Sequence, residues 1–248
     1  MTLPTRKAGV RLLAAIALAA CGTEESSRDM PTSDWQPDFR IVSSAAGTDV
    51  TARLLLGPSR TVRLEAGDVF RARIDTTTNA LRYVHDAVLG DTYEQGFPPA
   101  RDGSGVLIVL DRAGVATDAP NSTGTMPLRP AASSPEAGTA VPAGTAVTLD
   151  WTPSGTSDAL SIGLAATACS NGAPGAGTTV SVTADPGSAQ VALDATLLPA
   201  SLPSGGTCQY QLYVDRTRVG VPDPAFRAGG QVRVTQRSNT VTITGVKP

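Results

Sequence analysis

Residues 147–153 read Val147-Thr148-Leu149-Asp150-Trp151-Thr152-Pro153. Val147, Leu149 and Trp151 fall on one parity, and Thr148, Asp150 and Thr152 on the other. That period of two belongs to a strand with one dry face and one wet face. Pro153 has no N–H for a ladder and closes the run. The pattern continues outward. Leu160, Ile162, Leu164 and Ala166 share a face, and Val180 with Val182 and Val191 with Leu193 mark two shorter strands. Tyr210, Leu212 and Val214 oppose Gln209, Gln211 and Tyr213. Val232 and Val234 lead through Arg237-Ser238-Asn239 to Val241 and Ile243, which predicts a hairpin. About seven short strands over residues 146–248 predict a β-sandwich.

Upstream, residues 119–145 carry Pro120, Pro127, Pro130, Pro135 and Pro142 among Ala, Ser, Thr and Gly. This composition reads as a linker. It separates the module at 146–248 from a first β module at 38–118. There Val62 and Leu64 alternate with Thr61, Arg63 and Glu65, while Phe70, Ala72 and Ile74 alternate with Val69 and Arg71. Val106 to Leu110 is the most continuous apolar run and predicts a central buried strand. The expected fold class is therefore all-β, with two β-sandwich-like modules. The stretch 147–153 also resembles the second strand of a fibronectin type III domain, in which an inward Trp precedes a Pro-containing loop. The resemblance implies an Ig-like sandwich for 146–248 and nothing direct about activity.

The N-terminus reads as an address. Arg6, Lys7 and Arg11 form a basic flank, and Leu12 to Ala20 is an apolar stretch too short to span a bilayer. It ends in Leu18-Ala19-Ala20-Cys21, followed by Gly22. This arrangement resembles a bacterial lipoprotein precursor with its lipobox. The resemblance implies a signal peptide over 1–20, cleavage before Cys21, a diacylglycerol thioether on Cys21 and N-acylation. Gly22, in place of the Asp common in inner-membrane-retained relatives, implies sorting to the outer membrane. Residues 22–37, GTEESSRDMPTSDWQP, have no apolar period. With Cys21 they are expected to form a flexible tether over 21–37, reaching roughly 50 Å at ~3.3 Å per residue.

With Cys21 assigned to lipid, Cys169 and Cys208 remain. An even pair in an exported chain predicts a disulfide. Trp151 precedes both cysteines, so the bridge is not the antibody type, and it is expected to staple one end of the sandwich near residues 170–177. Two cysteines without His do not make a zinc site.

Composition narrows the function classes. The 248 residues carry 20 Lys+Arg and 22 Asp+Glu, a net charge of −2. Losing residues 1–20 removes Arg6, Lys7 and Arg11 and no acid, so the side-chain charge becomes −5. That balance excludes a nucleic-acid binder, which needs a clustered basic excess. Only two of the basic residues are Lys, and the arginine count is read as compositional bias. The single histidine, His85, has no Gly-x-Ser-x-Gly elbow or Ser-x-x-Lys to work with. His85, Asp86, Asp91 and Glu94 form a loose acidic group without metal-loop spacing. No catalytic residue, metal ligand or cofactor is assigned. Trp151, Phe70 and Tyr210 are expected in the core, and Tyr213, Tyr93 and Phe97 on the surface. The segment Tyr93-Glu94-Gln95-Gly96-Phe97-Pro98-Pro99 is the expected ligand loop. The expected function is a lipid-anchored cell-envelope protein with a binding or structural role. It would face the periplasm or lie on the surface of the outer membrane, with an envelope protein or a glycan as partner. The alternatives are an anchored hydrolase, or an accessory subunit of one, and a carbohydrate-binding module.

Overall fold

The structure, a computed structural model, describes residues 24–28, 30–57, 60–86, 90–114 and 117–248. Cys21 and the signal sequence lie outside the described residues. The first part of the chain forms β1 (Glu24–Ser26), β2 (Gln36–Ser43), β3 (Thr48–Leu55), β4 (Thr61–Arg63) and β5 (Val69–Ile74). It continues as β6 (Thr77–Ala80), β7 (Arg82–Asp86), β8 (Gly90–Phe97), β9 (Gly105–Asp111) and β10 (Ala119–Thr125). The second part forms β11 (Ala131–Ser134), β12 (Ala140–Pro142), β13 (Ala146–Thr152), β14 (Ala159–Cys169) and β15 (Thr178–Val182). Then follow β16 (Ser188–Ala192), β17 (Thr207–Val219), β18 (Gln231–Arg237) and β19 (Val241–Val246). The chain is all-β, as its alternation predicts.

Two cores form. In the first, a sheet ordered β10-β9-β5-β6 faces β2, β3 and β18. Phe39 and Ile41, Phe70 and Ala72, Ile108 and Leu110, and Val232 and Val234 are buried between them. In the second, the sheet β11-β13-β16 faces β15-β14-β17-β19. Leu149 and Trp151 pack there against Leu160, Ile162, Tyr210, Leu212 and Ile243. This strand distribution is that of an Ig-like β-sandwich. Central β9 is dry on one side only, because Val106, Ile108 and Leu110 are buried while Leu107 and Val109 are half exposed.

The modules share one sheet. Strand β17 is 13 residues long. One of its edges is divided: Thr207–Leu212 pairs β19, and Asp215–Val219 pairs β18. Strand β18 then lies parallel to β2, from Gln231 opposite Asp38 to Gln236 opposite Ser43. Val232, Val234 and Phe226 belong to the first core, although they lie late in the sequence. The hairpin expected between β18 and β19 does not form, because each takes its own half of β17 instead.

Residues 119–145 are not a free linker. β10 pairs β9, β11 pairs β13 and β12 pairs β19. The prolines misled because they occupy places where a missing N–H costs nothing. Pro120 is exposed on edge strand β10, and Pro142 ends β12. Nor is the expected tether loose throughout 21–37. From Glu24 the chain pairs in parallel with Thr61–Arg63, and Trp35 is fully buried.

Two arginines bolt the crossing segment in place. Arg216 has no exposed surface. It donates to the Leu128 carbonyl at 2.9 Å, the Pro153 carbonyl at 2.6 Å and Asp185 Oδ2 at 2.9 Å. Asp185 also accepts from Trp151 Nε1 at 2.8 Å and from the Thr156 hydroxyl at 2.7 Å. Next along the chain, Arg129 donates to Gln236 Oε1 at 2.8 Å and to the Ala100 carbonyl and Ser43 Oγ, both at 3.0 Å. Burial pushes the Asp185 carboxyl up, but the bonds from Thr156 and Trp151 and the Arg216 charge outweigh it, so its pKa lies below the ordinary carboxylate value. Asp185→Ala leaves a buried guanidinium without its counter-charge and is expected to cost about 3–5 kcal/mol in urea unfolding. Because the folded pKa is depressed, the wild-type stabilisation is present above the ordinary Asp pKa and is lost as pH falls through the folded value. Urea midpoints measured from pH 5 downward should show this acid loss in the wild type and less of it in the variant.

Candidate functional site

The expected ligand loop is a strand and its exit. Tyr93 and Phe97 lie on β8, which pairs β3 on one side and β7 on the other. Their exposures are 5% and 7%, so neither is a surface platform. The Tyr93 ring packs 5.3 Å from Phe70 and 5.8 Å from Tyr83, centroid to centroid, and its phenol oxygen accepts the Leu64 N–H at 2.6 Å. The segment misled because its Gly and Pro residues suggest a loop, whereas Gly96 simply extends the β8–β3 ladder. Tyr213, the third aromatic expected outside, lies across Gly163, where a Cβ would collide with its ring. The Arg237 guanidinium sits 3.8 Å from its centroid, held by two 2.8 Å bonds to Asp215.

What the β7–β8 hairpin does bring together is Tyr83, His85 and Asp91. His85 is the cross-strand partner of Asp91, and Tyr83 that of Tyr93, so all four share one face. Asp91 is fully buried. Its Oδ1 accepts from the Tyr83 hydroxyl at 2.7 Å and lies 3.2 Å from His85 Nδ1. Its N–H donates to Thr61 Oγ1 at 3.1 Å, and its Oδ2 has no hydrogen-bond partner. Arg63 covers the Tyr83 ring at 4.9 Å. The carboxylate thus orients a half-exposed imidazole, an arrangement suited to moving a proton. Glu94 is on the opposite face of β8, where it accepts from Thr92, so the loose acidic group seen in sequence is divided by the pleat. Among the described residues no group of three metal-ligating side chains forms.

The disulfide is where the sequence placed it. Cys169 ends β14, Cys208 opens β17, and the two are cross-strand neighbours joined by a disulfide. The bridge ties residues 170–177 at the end of the second module farthest from the first. The Asn171 amide there donates to Ser201 Oγ at 3.1 Å, and Lys247 Nζ donates to the Leu202 carbonyl at 2.6 Å. Among the described residues, the clefts on the first module include two of similar size. One, of about 610 Å³, lies between Asp75–Thr77 and Pro98–Ser104, with Ser104 Oγ donating to Asp75 at 2.7 Å. The other, of about 590 Å³, lies between Ser27–Pro31 and Arg112–Gly114.

No protein-family model and no curated protein matches the chain. Solved structures similar to it include the following three. The chicken CNTN1 FN1–FN3 domains are 14% identical, with 88% of this chain and 68% of that one covered, at a TM-score of 0.23. The Yersinia pseudotuberculosis adhesin InvE is 13% identical, with 82% and 58% covered, at 0.24. A two-domain fibronectin type III segment of chicken tenascin is 12% identical, with 85% and 98% covered, at 0.22. These overlaps are loose, and the Ig-like character of the second module stands on its own strand order.

Burial pushes the Tyr93 phenol up to about 12, with the Leu64 N–H pulling slightly the other way. The folded state therefore holds this proton more tightly than the unfolded chain. Its stabilisation is complete below pH 10 and is lost as pH rises toward 12. Tyr93→Phe should remove that part of the alkaline slope in urea midpoints. At neutral pH it should cost about 1–3 kcal/mol, since the Leu64 N–H loses its acceptor. The disulfide closes a loop of 39 residues. Reduction is expected to destabilise the fold by roughly 4 kcal/mol in the chain-entropy account, read as a lower urea midpoint with dithiothreitol than without.

Proposed function

We propose that the chain is a lipid-anchored protein of the bacterial cell envelope, held by acyl chains on Cys21 and acting by binding or scaffolding. The observation that carries this reading is the division of the cysteines. Cys169 and Cys208 are bonded to each other, which suits an oxidising compartment and leaves the lipobox sulfur as the remaining thiol. Two or more acyl chains at ~0.8 kcal/mol per buried methylene suffice for stable attachment, and a mature side-chain charge of −5 adds no attraction to anionic lipid. The periplasmic face or the surface of the outer membrane is the proposed location, on the strength of Gly22. An envelope protein or a glycan is the proposed partner. An Ig-like sandwich fused through a common sheet to a second core suits presentation of a surface at a set position.

The Asp91–His85 contact favours a second reading, an anchored hydrolase or its accessory subunit. Hydrolysis on an esterase and peptidase panel that disappears in His85→Ala would establish it over the binding role. The glycan-platform reading loses support from Tyr93, Phe97 and Tyr213, none of which offers a free ring face.

Intact mass of protein extracted from membranes should show Cys21 as the N-terminal residue with added acyl mass. An unmodified residue 21 overturns the anchor.

A further inference from the structure

We propose that the end of the first module bearing the start of β1, Arg60 and the turn at 227–230 rests on the headgroups of the bilayer that Cys21 enters. The disulfide-tied end of the second module then points away from the membrane. This rests on the lipid-anchor reading.

The leash is short. β1 begins at Glu24, three residues after Cys21. Three Cα steps of 3.8 Å span at most about 11 Å, against the roughly 50 Å that a loose tether over 22–37 would allow. A headgroup layer is roughly 5–8 Å deep, so even a fully stretched leash clears it by only a few Å and the body stays at the headgroup surface.

The chain beyond Glu24 gives no slack. Arg112 is nearly buried, with 4% of its side chain exposed. Its Nε donates to Asp68 at 3.1 Å, its Nη1 to the Met30 carbonyl and the Thr32 hydroxyl, both at 3.1 Å, and its Nη2 to the Ser27 carbonyl at 2.8 Å. The guanidinium also lies 4.2 Å from the Trp35 ring centroid. One side chain therefore grips three residues of the segment that the sequence presents as a tether. Ser27 Oγ adds a 2.7 Å bond to Asp68.

Register sets the direction. Glu24 pairs with Thr61, Thr61 with Leu55 and Leu55 with Gln36, so the leash enters at the outer end of β2. The inner end of β2, Ser43, is level with Gln236, which is level with Arg216. β17 runs from there back to Thr207, beside the disulfide. Seven residue steps along β2 and nine along β17 separate the two ends. At about 3.3 Å per residue that is roughly 50 Å.

Among the described residues, this end carries exposed Arg28, Arg60 and Arg227 beside Glu25 and Asp34, and Arg60 pairs with Glu25 at 3.1 Å. Charges of both signs there give no strong single-sign pull toward anionic lipid. The leash, rather than charge, sets the contact.

The test uses the full lipidated protein in vesicles of phosphatidylethanolamine and phosphatidylglycerol. A click-reactive amino acid replaces Arg60 or Ser204 and carries a dye, and energy transfer to a headgroup dye is read. Severalfold stronger transfer from position 60 than from position 204 is expected. A Gly/Ser spacer of about 15 residues inserted after Gly22 should weaken the transfer from position 60. Equal transfer from both positions, stronger transfer from 204, or no response to the spacer overturns the orientation. Mass spectrometry on the same sample separates the two readings. An unmodified Cys21 removes the anchor and the orientation together, whereas an acylated Cys21 with the wrong distances removes only the orientation.

Discussion

Arg216 and Arg129 hold the same short segment from opposite directions, and the arrangement of the molecule depends on that grip. Arg216 reaches from β17 to the Leu128 carbonyl, while the Arg129 side chain runs into the first module to meet Gln236, Ser43 and Ala100. A buried guanidinium is costly unless its hydrogen bonds are met and its charge is opposed. Asp185 supplies the charge for Arg216, and Trp151 and Thr156 saturate Asp185 in turn. The pair therefore locates the crossing segment, β17 and the 153–156 turn in one arrangement. Moving any of them strands a buried charge or a buried carboxylate.

The second constraint is the length of β17. An Ig-like sandwich closes its last two strands with a loop, but here β17 overshoots, and the return path becomes β18 in the neighbouring module. The first core thus depends on residues more than a hundred positions downstream. The two modules are joined by backbone hydrogen bonds as well as by side chains, so their mutual angle is a property of one sheet. With Arg112 fastening residues 27–32 at the other end, the molecule is tied at the start, the middle and the disulfide.

Much of this is legible in the sequence. The parity of Val147, Leu149 and Trp151, and of Phe70, Ala72 and Ile74, predicts which side chains are buried. Cys169 and Cys208, an even pair, predict their own bond. Arg216 continues the inward parity of Tyr210, Leu212 and Val214, and Arg112 that of Val106, Ile108 and Leu110. A charge on an apolar parity marks a buried ion pair, which a bare count of arginines does not show. Asp91 shares parity with Tyr93 in the same way. The ligand loop failed for the opposite reason. Gly96 and the Pro98-Pro99 pair suggest a loop, whereas Tyr93 and Phe97 both turn into the first core, where Tyr93 meets Phe70.

The sequence by itself determined the strand class, most of the inward faces and the pairing of Cys169 with Cys208, because each of these is a local matter of period two or sulfur count. Only the tertiary structure decided which edge each strand takes. Alternation specifies a wet side and a dry side but not a partner. Val232–Val234 can pair β19 next along the chain or β2 far upstream with the same side chains inward. What selected β2 was the free upper half of β17's edge and a first core that lacked Val232, Val234 and Phe226. The same long-range closure turned a proline-rich stretch into three strands and an apparent tether into a clasped one.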